Sequence, residues 1–176
     1  MSVIEIPKIV IYKFTMDELR YAKRLAEGRL NGKKSNTSYF EPDPSDMLWV
    51  HYRGVLAEIA AAHRYGGTVS EEFTGARGDK KADLLDADGH WLEVKSEKFQ
   101  GDDLYLKILP CKIHPPEFDD VHFVLVRLRP AIKHRTAEIY PAIHAWRVRK
   151  LGFLKDWGNG PMWSVPVDRI LNDNTR

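Results

Sequence analysis

The chain is poor in the residues that make covalent or soft-metal cross-links, since Cys111 is its only cysteine. An internal disulfide and a cysteine-rich zinc site are therefore excluded, and a reducing, cytoplasmic setting is the expectation. No apolar run approaches the roughly 18 residues needed to span a bilayer, so no membrane partner is expected. The opening stretch "MSVIEIPKIVIYKF" is broken by Glu5, Pro7 and Lys8 and has no basic segment ahead of an apolar core, so it does not read as a signal peptide. Internal repeats and low-complexity segments are absent. Net charge is almost absent too, at +2. What is present is ordinary: 176 residues, 43% hydrophobic and 30% charged, predict one soluble domain able to bury a full core.

The charge is unevenly distributed. From Arg127 to Lys150 the chain carries Arg127, Arg129, Lys133, Arg135, Arg147, Arg149 and Lys150 against a single acid, Glu138. Such a block can follow a phosphate backbone or form a solvated face.

Thr15 and Glu18 have capping-box spacing, which predicts a helix from Met16 to about Leu30. Asp43 before Pro44 predicts a second helix start, and Gly66-Gly67 predicts its end near Tyr65. Along that helix Leu48, Tyr52, Val55, Ile59 and Ala62 form an apolar stripe, with Glu58 at its edge. Gly54, one turn before Glu58, predicts a close approach by another element. The pattern then changes to strands: "TVSEEF", "ADLLD" and "HWLEVKS", an irregular or edge strand at "DDLYLKIL", a central buried strand at "VHFVLVRL", and a further strand at "TAEIYPAI". "HAWRVRKLG" predicts a short helix closed by Gly152. The sum is an α/β (α+β) fold, a central mixed sheet with a β-meander flanked by helices.

The hairpin joining "ADLLD" to "HWLEVKS" has two registers. A two-residue Asp-Gly turn sets Leu84 opposite Glu93. A three-residue Ala87-Asp88-Gly89 loop pairs Asp86 with His90 and sets Asp83 opposite Glu93 on one face, with Lys95 two residues on. The second register satisfies both faces and is the expected one. Two facing carboxylates repel each other, and a divalent cation relieves that repulsion; Mg²⁺ favours oxygen ligands, here Asp83, Glu93 and the Val94 carbonyl. Glu58 could complete the site, and Lys95 could stabilise charge on a reacting phosphate. Asp79, in "RGDKKAD", competes with Asp83 for the first-acid role. Asp86 and Asp88 read as turn residues, and Trp146, Trp157 and Trp163 as core or interface residues.

Glu-x-Lys alone is common in any chain of this size. The ordered set is more specific: a helix with a central Glu, a strand-initial Asp, a short turn, then Glu-x-Lys ending an apolar strand. In this respect the sequence resembles the PD-(D/E)XK nuclease superfamily. "GVLAEIAAAHRYGG" is similar to its first core helix with Glu58 as the helix carboxylate, "ADLL" to the first acid at Asp83 with Ala82 in place of Pro, and "LEVKS" to Glu93 and Lys95. The resemblance covers roughly Ser45 to Ile143. It implies a restriction-endonuclease-like core over about 45–145 within a single nuclease domain, with an N-terminal helical extension at 15–30 and a C-terminal tail outside it. Pro110, Pro115 and Pro116 stand where the family has its second core helix, so a loop or strand is expected there.

The resemblance implies a metal-dependent deoxyribonuclease, more specifically an endonuclease, hydrolysing phosphodiesters with Mg²⁺ (Mn²⁺ as substitute). Asp83, Glu93, Lys95 and Glu58 would be catalytic, and Asp83, Glu93, Val94 and Glu58 would hold metal. Arg77, Lys80, Lys81, Lys98, Arg127 and Arg129 would grip double-stranded or branched DNA. A homodimer is compatible with this reading, and the small size suits a phage or mobile-element protein in a bacterial host cell. The alternative is a non-catalytic nucleic-acid-binding module on the same fold.

Overall fold

A computed structural model describes residues 9–33, 44–69, 82–98, 104–113, 121–129, 136–158 and 160–173. The element order is β1 (Val10–Lys13), α1 (Met16–Lys33), α2 (Pro44–Tyr65), β2 (Leu84–Leu85), β3 (Trp91–Lys98), β4 (Tyr105–Ile108), a 3₁₀ turn (Pro110–Lys112), β5 (Val121–Leu128), β6 (Thr136–Ile139), β7 (Ile143–His144), α3 (Ala145–Leu151), β8 (Phe153–Asp156), β9 (Pro161–Pro166) and α4 (Val167–Asn172). The fold is mixed α/β. One sheet runs β1-β6-β5-β3-β2 with β7 also on β5, and a smaller sheet runs β4-β9-β8. In the large sheet β3 and β5 are parallel, whereas the other pairs are antiparallel.

The central position of "VHFVLVRL" follows from its composition. β5 has neighbours on both edges and buries side chains on both faces, and only a nearly continuous β-branched and apolar run tolerates that. On one face Val124 and Val126 join Leu84 and Leu92 under Val55, Leu56 and Ile59 of α2. On the other, Phe123 and Leu125 pack against Leu106 and Ile108 of β4, Val148 of α3 and Val165 of β9. A parallel neighbour requires a crossover connection. Here the described part of that crossover is β4 and the 3₁₀ turn, so a strand stands where a helix would ordinarily cover the sheet, in line with the prolines.

The helices start and stop where their chemistry dictates. Thr15 Oγ1 accepts from the Glu18 N–H at 3.2 Å while Glu18 accepts from the Thr15 N–H at 2.7 Å, closing the capping box. Ala22 and Ala26 of α1 are fully buried, and α2 buries every residue from Val55 to Ala61, so the two helices approach through small side chains. Gly66 and Gly67 end α2 with φ of 74° and 116°. A Cβ on Gly67 would lie 2.4 Å from the Leu85 carbonyl oxygen, and the Ala87 N–H donates to the Tyr65 carbonyl at 3.0 Å. The end of α2 is thereby docked on the β2-β3 hairpin, which fixes the helix carrying Glu58 relative to the strand carrying Glu93.

Gly54 does not play the part its position suggested. Among the described residues, nothing outside the helix lies within 4 Å of a Cβ built there. Gly54→Ala is therefore expected to stabilise the protein by about 0.5–1 kcal/mol, through helix propensity alone; urea titration monitored by circular dichroism measures it, and a destabilised variant would refute it.

Other expectations change. β1 pairs with β6 at the sheet edge, a strand the sequence did not single out. The C-terminal tail is not an appendage, since β8, β9 and α4 build the small sheet and its share of the core. Of "TVSEEF", Thr68 and Val69 are not in a strand and the rest lies outside the described residues. Trp146 is 52% exposed, which removes the core alternative for it, whereas Trp163 packs against the core.

Candidate functional site

The hairpin adopts the three-residue register. Leu84 lies opposite Leu92 and Leu85 opposite Trp91, the Asp86 N–H donates to the His90 carbonyl at 2.9 Å, and the Asp83 N–H to the Leu92 carbonyl at 3.0 Å. Gly89 supplies the left-handed position at φ 87°. Asp86 closes the loop by accepting from the Asp88 and His90 N–H groups at 2.9 and 2.7 Å, the behaviour of a turn aspartate. Among the described residues Asp86, Asp88 and His90 form the trio of possible ligand atoms within 4.8 Å of one another, and the turn geometry explains the grouping.

The register places Asp83 beside Glu93. β2 ends early, so past Leu92 this edge of β3 has no strand partner among the described residues; the Asp83 carboxylate takes that place by accepting from the Val94 N–H at 2.7 Å. The N–H and C=O of one strand residue point to the same edge, so the Val94 carbonyl faces the Asp83 side as well. Glu93 is 5% exposed. Lys95 donates to its carboxylate at 2.6 Å, and Lys112, from the 3₁₀ turn, reaches it at 3.4 Å. The face carrying Asp83, Glu93 and Lys95 was expected to be exposed; Glu93 is instead buried and Asp83 and Lys95 are half-buried, with Lys112 of the 3₁₀ turn reaching over to Glu93.

Glu58 approaches from α2 and is 7% exposed. Both of its oxygens accept from Arg29 of α1, at 2.6 and 2.7 Å, in a bidentate pair. The N-terminal helix, expected to be an extension, thus contributes a charge to the site. Arg29 and Lys112 are the site neighbours that sequence reasoning missed. Arg29 sits one turn before the end of an amphipathic helix and Lys112 lies two residues after Pro110, and neither position carries a motif. Arg29→Ala leaves Glu58 buried without its partner and is expected to cost about 2–3 kcal/mol. A double variant replacing both by apolar residues should recover much of that loss in the same urea titration; a single variant as stable as the parent would refute the pairing.

The electrostatics are those of crowded acids. Burial, then Glu93, then Glu58 push the Asp83 carboxyl up from 3.8 to about 7, against the opposing pull of the Val94 N–H and Lys95. Glu58, and more weakly Asp83, hold Arg29 firmly charged. Asp83, Glu93 and Glu58 do not close to within 4.8 Å of one another; Glu58 is paired with Arg29, and Glu93 with the two lysines. The donors facing Asp83 are carboxylate and carbonyl oxygens, a set that fits a hard divalent cation such as Mg²⁺.

The expected nucleic-acid contacts fare differently. Arg77, Lys80 and Lys81, with the rival acid Asp79, lie outside the described residues, as does the side chain of Lys98 at the end of β3. Arg127 and Arg129 share a face, and both pair with Glu138 across the sheet; Arg129 does so at 2.8 Å through Nε, and Arg127 lies at 3.9 Å. Arg147 pairs with Asp173, and Arg149 donates to the Ile113 carbonyl. Much of the basic block is thus engaged in holding the fold together.

Comparison with family models and with curated proteins finds no match. Among the described residues, no helix is long and apolar enough to cross a membrane.

Proposed function

We propose that this protein is a metal-dependent nuclease that hydrolyses phosphodiester bonds in DNA, acting as an endonuclease with Mg²⁺. The observation that carries the reading is the meeting of Asp83 and Glu93 across the hairpin, with Lys95 on Glu93 and the Asp83 carboxyl pushed up to about 7 by burial and its acidic neighbours. Repelling, partly buried acids of this kind mark functional sites. Asp83, Glu93 and the Val94 carbonyl would hold the ion, and Glu58 could join them only by releasing Arg29. Mg²⁺ bound there would supply a Lewis acid for the phosphate and a more acidic water. Lys95 would stabilise negative charge developing on the phosphoryl oxygens, and Lys112 would add a second positive charge nearby. Burial strengthens each of these interactions by excluding water.

A second reading, a nucleic-acid-binding module without catalysis, is favoured by one observation: Arg29, Lys95 and Lys112 already balance Glu58 and Glu93 without an ion. A supercoiled-plasmid nicking assay with Mg²⁺ and with EDTA separates the two. Mg²⁺-dependent nicking is the expected result. Binding without nicking would replace the nuclease reading by the second, and neither would overturn both.

A further inference from the structure

The outer face of the small sheet carries chemistry that the site does not use. Leu106, Ile108 and Val165 face the core and are fully buried. Residues directly opposite in antiparallel strands share a face, so the pairings Tyr105 with Pro166, Lys107 and Phe153 with Ser164, and Lys155 with Met162 define the side turned away from that core. Three aromatic rings gather there: Tyr105 lies 6.0 Å from Phe153 and 5.5 Å from Trp157. Trp157 is anchored over the sheet by donating to Ser164 Oγ at 2.9 Å. Two ammonium groups flank it, Lys107 at 4.3 Å and Lys155 at 4.0 Å from the ring centre. β8 is exposed along its whole length, with Phe153 38% open to solvent.

We propose that this face is a binding platform for single-stranded nucleic acid, which delivers unpaired nucleotides to the Asp83–Glu93 site. Its role in delivery rests on the nuclease reading, whereas its binding chemistry stands alone. Aromatic rings on a sheet surface offer stacking planes to bases, and the lysines offer charge to the backbone between them. Cation–π contacts at an exposed site are weak, so the ammonium groups can turn to phosphates while keeping their place beside the rings. A duplex hides its base faces in its own stack and would meet only the lysines, which is why the unpaired strand is the better occupant. The platform also adjoins the site. Lys107 reaches Glu97 of β3 at 3.9 Å, and Glu97 lies four residues, about 13 Å, along that strand from Glu93. β4 then leads into the turn carrying Lys112, which touches Glu93 itself.

The test uses the full chain in EDTA, where cleavage plays no part. Fluorescence anisotropy is measured with a labelled 20-nucleotide oligothymidylate, its uridine counterpart and a duplex of equal length. The single strand is expected to bind at least about tenfold more tightly than the duplex, with the two single-strand arms separating DNA from RNA. Trp157→Leu should weaken binding about tenfold, as loss of one stacking ring does. Trp157→Phe should restore most of it. Because Trp157 also bonds Ser164, the exposed Phe153→Ala serves as a second variant whose folding is not in question. Lys107→Ala with Lys155→Ala should lower the salt slope by about 1.4, at roughly 0.7 per phosphate on a single strand. No binding of the oligonucleotide, equal binding of the duplex, or an affinity unchanged in the ring and lysine variants each overturns the platform. Plasmid nicking is scored separately. Nicking with an inert platform sinks only this inference, whereas oligonucleotide binding without nicking sinks only the nuclease reading.

Discussion

Glu93→Gln is expected to lower Mg²⁺-dependent cleavage by at least about a hundredfold, with folding retained. The replacement keeps the shape of a side chain that is 5% exposed, so no cavity forms. What changes is charge: an oxygen pair able to hold a cation becomes a neutral amide. Lys95→Met should be about as damaging to cleavage, since its ammonium is the charge nearest the Glu93 carboxylate, at 2.6 Å. The two variants disturb different partners. Glu93→Gln leaves Lys95 and Lys112 facing an amide, whereas Lys95→Met leaves Glu93 paired, among the described residues, with Lys112. Each is expected to cost about 1–3 kcal/mol, a loss that a domain of ordinary stability survives. Nicking rates normalised to the folded fraction measured by circular dichroism separate chemistry from stability. A Glu93→Gln protein that nicks at the parental rate would remove Glu93 from the chemistry.

The second large effect is expected in stability as a function of pH and Mg²⁺. The Asp83 carboxyl titrates near 3.8 when unperturbed and at about 7 in the fold, so the folded state binds its proton more tightly than the unfolded state. The stability linked to that proton is fully present below about pH 4 and is lost as pH rises through about 7. The gap between those two values sets a ceiling of about 4 kcal/mol on the loss. Mg²⁺ at pH 8 would hold the same carboxylates in the charged form and raise stability again by mass action. In Asp83→Asn the pH dependence over this range should flatten and the Mg²⁺ increment should shrink. Urea titrations at pH 5 and pH 8, with and without Mg²⁺, read both effects without any substrate. A parent equally stable at the two pH values, or an Asp83→Asn variant with an undiminished Mg²⁺ increment, would contradict this account of the site.

Local chemistry made several features legible in the sequence. The Thr15–Glu18 capping box, the Gly66-Gly67 stop, the apolar run of β5 and the three-residue hairpin loop each depend on neighbours within a few residues, and each is present. The hairpin register pairs Leu84 with Leu92 and sends both to the core, which leaves Asp83 near enough to Glu93 to feel its charge. Tertiary structure decided what local pattern does not encode. Arg29 meets Glu58 across 29 positions and Lys112 meets Glu93 across 19, contacts fixed by helix packing and by the path of a crossover rather than by spacing. Gly54 suggested a close approach because a helix glycine is costly, but no described element packs there. The basic block, close in sequence, could follow a phosphate backbone or form a solvated face. The fold instead takes Arg127 and Arg129 to Glu138 of β6, Arg147 to Asp173 and Arg149 to the Ile113 carbonyl. The small sheet joins β4 to strands about 50 residues later, so Tyr105, Lys107, Phe153, Lys155 and Trp157 become one surface only when the chain closes on itself. Short-range hydrogen bonding and alternation set the hairpin and the two acids on it; long-range packing chose the charges that surround them.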